Sequence, residues 1–172
     1  MKRDAPLFGS PWTKSTFTAA LVFGSVERMV PVAASVNSFV ETMCARYDID
    51  ISDRVVGGFS QGAGIAAWLA FGGRSTAPSG FWCCDTVVDV DGESLDVTDA
   101  RGRDVLILAG RDDPNVPLER NRAQARRFCE AGAHTTVSEH EGDHGLSPAM
   151  LNDMNQWLAA IPRPDSVRAD RR

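Results

Sequence analysis

Short apolar runs alternate along this chain with segments whose apolar residues recur every three or four positions. The runs at residues 54–57, 80–84 and 105–109 are mainly apolar and read as buried β-strands, and the β-branched run at 135–139 reads as a further strand. Residues 32–47, 63–70, 118–131 and 148–160 read as helices, and the acidic stretch 85–103 reads as a long loop over the site. Strands that alternate with helices predict an α/β fold with a mostly parallel sheet.

Composition agrees with one globular domain. The chain has 172 residues, of which 43% are hydrophobic and 24% are charged. We predict a single domain over residues 1–162 and a polar tail over 163–172. The formal net charge of −5 argues against a nucleic-acid partner, because no basic face is available to neutralise phosphates.

The chain carries no segment typical of a leader or a membrane span. No apolar stretch follows the charged residues at the start, and none later approaches the length of a spanning helix. The four cysteines do not form a spaced disulfide framework, which favours a reducing compartment. The expectation is therefore a cytoplasmic protein without stable membrane insertion.

The first predicted strand runs directly into a helix through Gly58-Phe59-Ser60-Gln61-Gly62. This is the G-x-S-x-G pattern in the strand-to-helix setting of a nucleophile elbow. The flanking glycines are expected to let strand and helix approach closely, with Ser60 held in a strained backbone conformation. The pattern makes Ser60 the candidate nucleophile and the backbone N–H of Gln61 a candidate donor to an oxyanion.

Candidate partners for the serine follow two later strands. The strand at 105–109 leads to Asp112 and Asp113, and the strand at 135–139 leads to His140 and His144. Catalytic groups of parallel sheets gather at the carboxyl ends of the strands. A serine hydroxyl needs a histidine to take its proton and a carboxylate to orient that histidine. The chain order serine, aspartate, histidine is the order of the α/β-hydrolases.

In three longer sequence motifs the chain resembles the carboxylesterase/phospholipase family of small α/β-hydrolases, which includes the acyl-protein thioesterases. The motifs are Gly57-Gly58-Phe59-Ser60-Gln61-Gly62, Gly110-Arg111-Asp112-Asp113-Pro114-Asn115-Val116-Pro117, and Gly142-Asp143-His144-Gly145-Leu146-Ser147-Pro148. The resemblance implies a three-layer α/β sandwich and a serine hydrolase that cleaves small ester or thioester substrates through an acyl-enzyme, without cofactor or metal. It also favours Asp113 over Asp112, because Asp113 directly precedes Pro114.

The same resemblance implies that the N-terminal strands of the family are absent, which leaves about four strands. The family's His-Gly loop, which contributes half of the oxyanion hole, has no counterpart before Ser60. Residues 5–12 resemble the Pro-rich stretch that follows the family's fourth strand. Two expectations follow: a sheet edge open to homodimer formation, and a second hypothesis in which the chain is a truncated, catalytically silent hydrolase-like module.

Two other histidine interpretations compete with this one. Residues 140–144 spell H-E-x-x-H, the zinc-protease pattern, which needs both histidines on one helix. A loop is favoured over a zinc site, because Gly142 and Gly145 flank the second histidine and a predicted strand precedes the motif. His134 precedes its strand, at the end of the sheet away from the chemistry, and is expected at the surface.

Overall fold

A computed structural model describes residues 26–50, 54–72, 80–84, 89–90 and 93–161 of the chain. The Pro-rich stretch 5–12 and the predicted tail 163–172 lie outside this part, as do both ends of the predicted domain. The helices are α1 (Val26–Tyr47), α2 (Gln61–Phe71), α3 (Leu118–Glu130) and α4 (Pro148–Ala160). The strands are β1 (Val55–Phe59), β2 (Gly80–Cys84), β3 (Asp89–Val90), β4 (Glu93–Ser94), β5 (Asp104–Gly110) and β6 (His134–His140).

The main sheet has four parallel strands in the order β1-β2-β5-β6. All four coincide with the predicted strands to within two residues at each end. The central strands β2 and β5 are buried almost throughout, as expected for parallel strands covered on both faces. Because the strands are parallel, their carboxyl ends share one edge of the sheet.

Helices cover both faces of the sheet, so the predicted three-layer α/β-hydrolase-like sandwich is confirmed. Alternate residues of each strand point to opposite faces, and the adjacent Cys83 and Cys84 belong to different core clusters. One face packs against α2 and α3, and the other packs against α4. The first cluster includes Phe71, Phe81, Val105, Ile107 and Phe128, and the second includes Leu106, Leu108, Met150 and Trp157.

Helix α1 packs on the outer side of α2, where Ala33 and Ile65 are buried together. It begins at Val26, six residues before the predicted start at residue 32. The prediction rested on apolar residues that recur every three or four positions from Val36 to Met43. The structure carries Pro31 inside the helix.

The prediction of a long loop over the site at 85–103 is wrong for its described second half. Strands β3 and β4 form a small antiparallel ribbon, and a 3₁₀ turn follows at Thr98–Ala100. Val97 and Ala100 are buried in the cluster beneath α2 and α3. The following residues lead directly into the amino end of β5, at the opposite edge of the sheet from the site.

Candidate active site

Ser60 lies in the tight turn between β1 and α2, with φ 52° and ψ −130°. Its backbone N–H donates to the carbonyl of Cys84, at 2.9 Å, which ties the turn to the end of β2. Asp48 is the only other non-glycine residue with positive φ in the described part of the chain. Such a conformation costs about 1–3 kcal/mol in a residue with a side chain. The strained conformation predicted from the sequence is therefore present.

The two glycines that flank the serine are not equivalent. A Cβ on Gly58 would lie 2.5 Å from the carbonyl carbon and oxygen of Gly62, so β1 and α2 approach too closely for a side chain there. A Cβ on Gly62 would meet nothing within 4 Å. The expectation that both glycines permit the close approach is therefore correct for Gly58 and wrong for Gly62. The backbone of Gly62 is what a side chain at Gly58 would clash with.

Asp113 is held in the loop between β5 and α3, and its side chain is fully buried. Its Oδ1 accepts the N–H groups of Asn115, at 2.7 Å, and Val116, at 3.0 Å. Burial acts to raise the pKa of this carboxyl, but the hydrogen bonds from His144 and from the two N–H groups outweigh burial and lower the pKa. The carboxylate is therefore ionised and fixed in one orientation.

His144 lies in the loop between β6 and α4 and bridges the other two side chains. Its Nδ1 is 2.8 Å from Oδ2 of Asp113, and its Nε2 is 2.9 Å from the hydroxyl oxygen of Ser60. Its ring contacts that of Phe59, with ring centroids 5.0 Å apart. A histidine with a carboxylate at Nδ1 and a serine hydroxyl at Nε2 is arranged to take the hydroxyl proton.

Backbone contacts hold the Asp113 and His144 loops together. The parallel ladder of β5 and β6 continues into the loops, where the N–H of Arg111 donates to the carbonyl of His140 at 2.8 Å. The N–H of Asp112 donates to the carbonyl of Gly142 at 3.0 Å. An ion pair between the side chains of Arg111 and Glu141 adds an exposed link. These contacts fix the separation between the aspartate and the histidine.

Gly110, the last residue of β5, allows this close approach. A Cβ there would lie 2.5 Å from the carbonyl oxygen of Asp143 and 2.8 Å from that of Gly142. We expect Gly110→Ala to push the His144 loop outward. The free energy of unfolding should fall by about 1–3 kcal/mol, and kcat/KM for an ester should fall by about 10- to 100-fold because the histidine is displaced.

Urea unfolding and ester turnover measured on the same sample would test this expectation. Gly62→Ala is the matched control, since its Cβ meets no neighbour and alanine is the better helix former. Equal stability of the Gly110 and Gly62 variants would contradict the steric argument.

The structure separates the competing candidates. Asp112 is exposed, whereas Asp113 is buried against His144. His134 begins β6 and is largely exposed at the amino end of the sheet, with Asp104 at 3.6 Å. His140 ends β6, and its Nε2 lies 3.0 Å from Oδ2 of Asp153 on α4.

The H-E-x-x-H motif therefore spans the end of a strand and the bend that follows it, and it does not form a helix. Its two histidines have different partners. Within the described ranges, no group of three or more histidine, cysteine, aspartate or glutamate side chains is arranged to hold a metal ion.

Two features of the site were missed from the sequence. The first is the contact of Phe59 with His144. The second is a polar cluster in which the Ser138 hydroxyl donates to Asp153 and lies 2.9 Å from Nε2 of His140. Ser138 and His140 stand two apart on β6 and therefore share a face. The spacing of Ser138 and His140 could have been recognised in the sequence. Their contact with Asp153 on α4 could not.

Solved structures share this fold, and some of them are carboxylesterases. The carboxylesterase of Bacillus cereus matches with a TM-score of 0.68 at 23% identity, over 79% of this chain and 63% of that protein. The carboxylesterase of Mesorhizobium loti matches with 0.66 at 19% identity, over 78% and 62%. Arabidopsis thaliana SOBER1 matches with 0.62 at 18% identity, over 77% and 64%. The chain thus spans less than two thirds of the length of these proteins.

The sheet, its covering helices and these matches define an α/β-hydrolase fold. Residues 70–167, more than half of the chain, match the model of the family described as TAP-like protein within the α/β-hydrolases. The chain belongs to this family. The matched region includes Asp113 and His144 and begins after Ser60.

Among the described helices, none is both long and apolar enough to cross a bilayer.

Proposed function

We propose that this protein is a serine hydrolase that cleaves carboxylic esters or thioesters through an acyl-enzyme intermediate. One observation carries the proposal: the side chains of Ser60, His144 and Asp113, which come from three separate loops, form a continuous hydrogen-bonded line with distances of 2.9 and 2.8 Å. The strained turn at Ser60 supports the same role, because it is the geometry of a nucleophile elbow. The esterase folds among the similar structures add support for the substrate class.

In the first half of the reaction, Oγ of Ser60 attacks the carbonyl carbon of the ester. The proton of the hydroxyl passes to Nε2 of His144 as the new C–O bond forms, and the carbonyl oxygen takes the electron pair. Asp113 accepts the Nδ1–H of His144 and stabilises the imidazolium. When the tetrahedral intermediate collapses, His144 returns the proton to the leaving oxygen or sulfur, and the acyl group stays on Ser60.

In the second half, water replaces the leaving group. His144 takes a proton from the water, the hydroxide attacks the acyl carbon, and the carboxylic acid departs as Ser60 regains its proton. The negative oxygen of each tetrahedral intermediate needs N–H donors in front of it. We assign one donor to the backbone N–H of Gln61, the residue that follows the nucleophile and begins α2.

Hydrolysis of nitrophenyl esters with acyl chains of two to ten carbons tests the proposal directly. We expect turnover that saturates with substrate and that declines after treatment with an alkyl fluorophosphonate. Mass spectrometry should then place one phosphonyl group on the peptide that contains Ser60. The oligomeric state, recorded on the same sample, shows whether a second copy is needed for turnover.

The competing hypothesis is a hydrolase-like module without catalytic activity. A folded sample that neither turns over any ester of the series nor reacts with the fluorophosphonate would contradict the serine hydrolase proposal and favour this silent module. A phosphonyl group on a residue other than Ser60 would contradict the assignment of the nucleophile.

A further inference from the structure

Phe59 precedes Ser60 and packs against the proposed catalytic histidine. Its ring centroid lies 5.0 Å from that of His144, and the two ring planes are inclined by 43°. The phenyl ring is held in place because Phe59 packs against the buried cluster that includes Cys84, Leu108 and Met150. It is therefore a partly buried side chain that packs on the core and contacts the imidazole.

The orientation of the His144 ring decides whether both of its hydrogen bonds can form. Ser60 and Asp113 act at the two ring nitrogens. Rotation of the ring about the bond between Cβ and Cγ would move Nε2 away from the hydroxyl of Ser60 and Nδ1 away from Asp113. A side chain packed against the ring opposes this rotation.

The charge that develops on His144 gives the contact a second effect. The ring becomes an imidazolium when it takes the proton of Ser60. A cation that lies over the face of an aromatic ring, within about 6 Å of its centroid, is attracted to that ring, and neither β1 nor α2 carries a charged side chain. Asp153, the charged residue of α4, is bound to Ser138 and His140.

From these contacts we infer that Phe59 is a positioning residue for His144. Its ring holds the imidazole in the orientation that faces both Ser60 and Asp113, and it stabilises the imidazolium while the C–O bond forms. This inference rests on the proposed function for its effect on turnover. The effect on the orientation of the imidazole does not depend on turnover.

Proton NMR of the hydrogen bond between His144 and Asp113 tests the orientation alone. The chain has three histidines, so few imidazole N–H signals occur, and the signal that disappears in His144→Gln belongs to this bond. We expect Phe59→Leu, which keeps an apolar side chain, to broaden or abolish the downfield Nδ1–H signal and to speed its exchange with water. Phe59→Tyr, which keeps the ring, should retain the signal.

Kinetics on the same variants test the effect on the reaction. Phe59→Leu should lower kcat by about 3- to 30-fold with KM nearly unchanged, and Phe59→Tyr should restore most of the rate. Trp157→Leu is the matched control, because Trp157 packs in the same cluster but lies near Gly80 at the other end of β2. This control should lower stability without changing the Nδ1–H signal.

Each outcome bears on the inference separately from the proposed function. A Phe59→Leu protein with an unchanged Nδ1–H signal would overturn it. The same loss of signal in Trp157→Leu would also overturn it, because the cause would then be general loosening of the core. A protein that shows the expected spectra without any turnover would support the positioning of His144 and contradict the serine hydrolase proposal.

Discussion

Ser60→Ala is expected to lower ester turnover by at least about 10,000-fold while the protein stays folded. The substitution removes the oxygen that would form the acyl bond. It leaves the hydrogen bond between His144 and Asp113, at 2.8 Å, in place. Initial rates with the best nitrophenyl ester, together with circular dichroism spectra, would measure both effects. Unchanged turnover in this variant would contradict the proposed nucleophile.

Ser60→Gly is the matched control for the strained turn. Both variants lack the hydroxyl, but glycine adopts the φ of 52° observed at Ser60 without steric cost and alanine does not. We therefore expect the glycine variant to be inactive and more stable than the alanine variant by about 1 kcal/mol. Urea unfolding of the two variants would measure the difference. A glycine variant less stable than the alanine variant would contradict the assignment of strain to this residue.

Asp113→Asn is expected to lower kcat by about 1,000- to 10,000-fold without loss of the fold. The asparagine oxygen still accepts the N–H groups of Asn115 and Val116. Its amide NH₂ then faces Nδ1 of His144, where the carboxylate oxygen was. Two donors cannot bond, so His144 is driven to the tautomer with its proton on Nε2, which cannot accept the proton of Ser60.

Asp112→Asn supplies the control for this substitution. Asp112 is the adjacent carboxylate, but it is exposed, and the contact the structure shows for it runs from its backbone N–H to Gly142. We expect turnover close to that of the unaltered protein. Equal loss in the two variants would indicate a general effect of charge near the site and would contradict the role assigned to Asp113.

The central strands of the sheet could be predicted from the sequence because burial on both faces leaves a continuous apolar run. The run at Val105–Ala109 is apolar at every position, and β5 occupies it with one further residue at each end. Parallel strands then bring the loops that follow them to one edge. That rule is sufficient to place Ser60, Asp113 and His144 near one another, and the structure joins them by hydrogen bonds. Their catalytic roles stay predictions.

Other features depend on contacts between residues that are distant in the sequence, which no local sequence pattern indicates. Phe59 reads as an ordinary apolar strand residue, and its position against His144 depends on how two distant loops meet. Burial of Val97 and Ala100 depends on the space left beneath α2 and α3. The extension of α1 through Pro31 shows a helix continuing where the local propensity of one residue predicts a boundary.

The location of His144 beyond β6 has a consequence for how the protein would lose activity. In the described sheet β6 is one of the two outer strands, paired with β5 alone, and Val137 within it is 37% exposed. Outer strands open at lower free energy than the centre of a sheet. Brief detachment of β6 would carry the base away from Ser60 while β1, β2 and β5 remained assembled. Inactivation on heating is thus expected to precede the cooperative melting of the core.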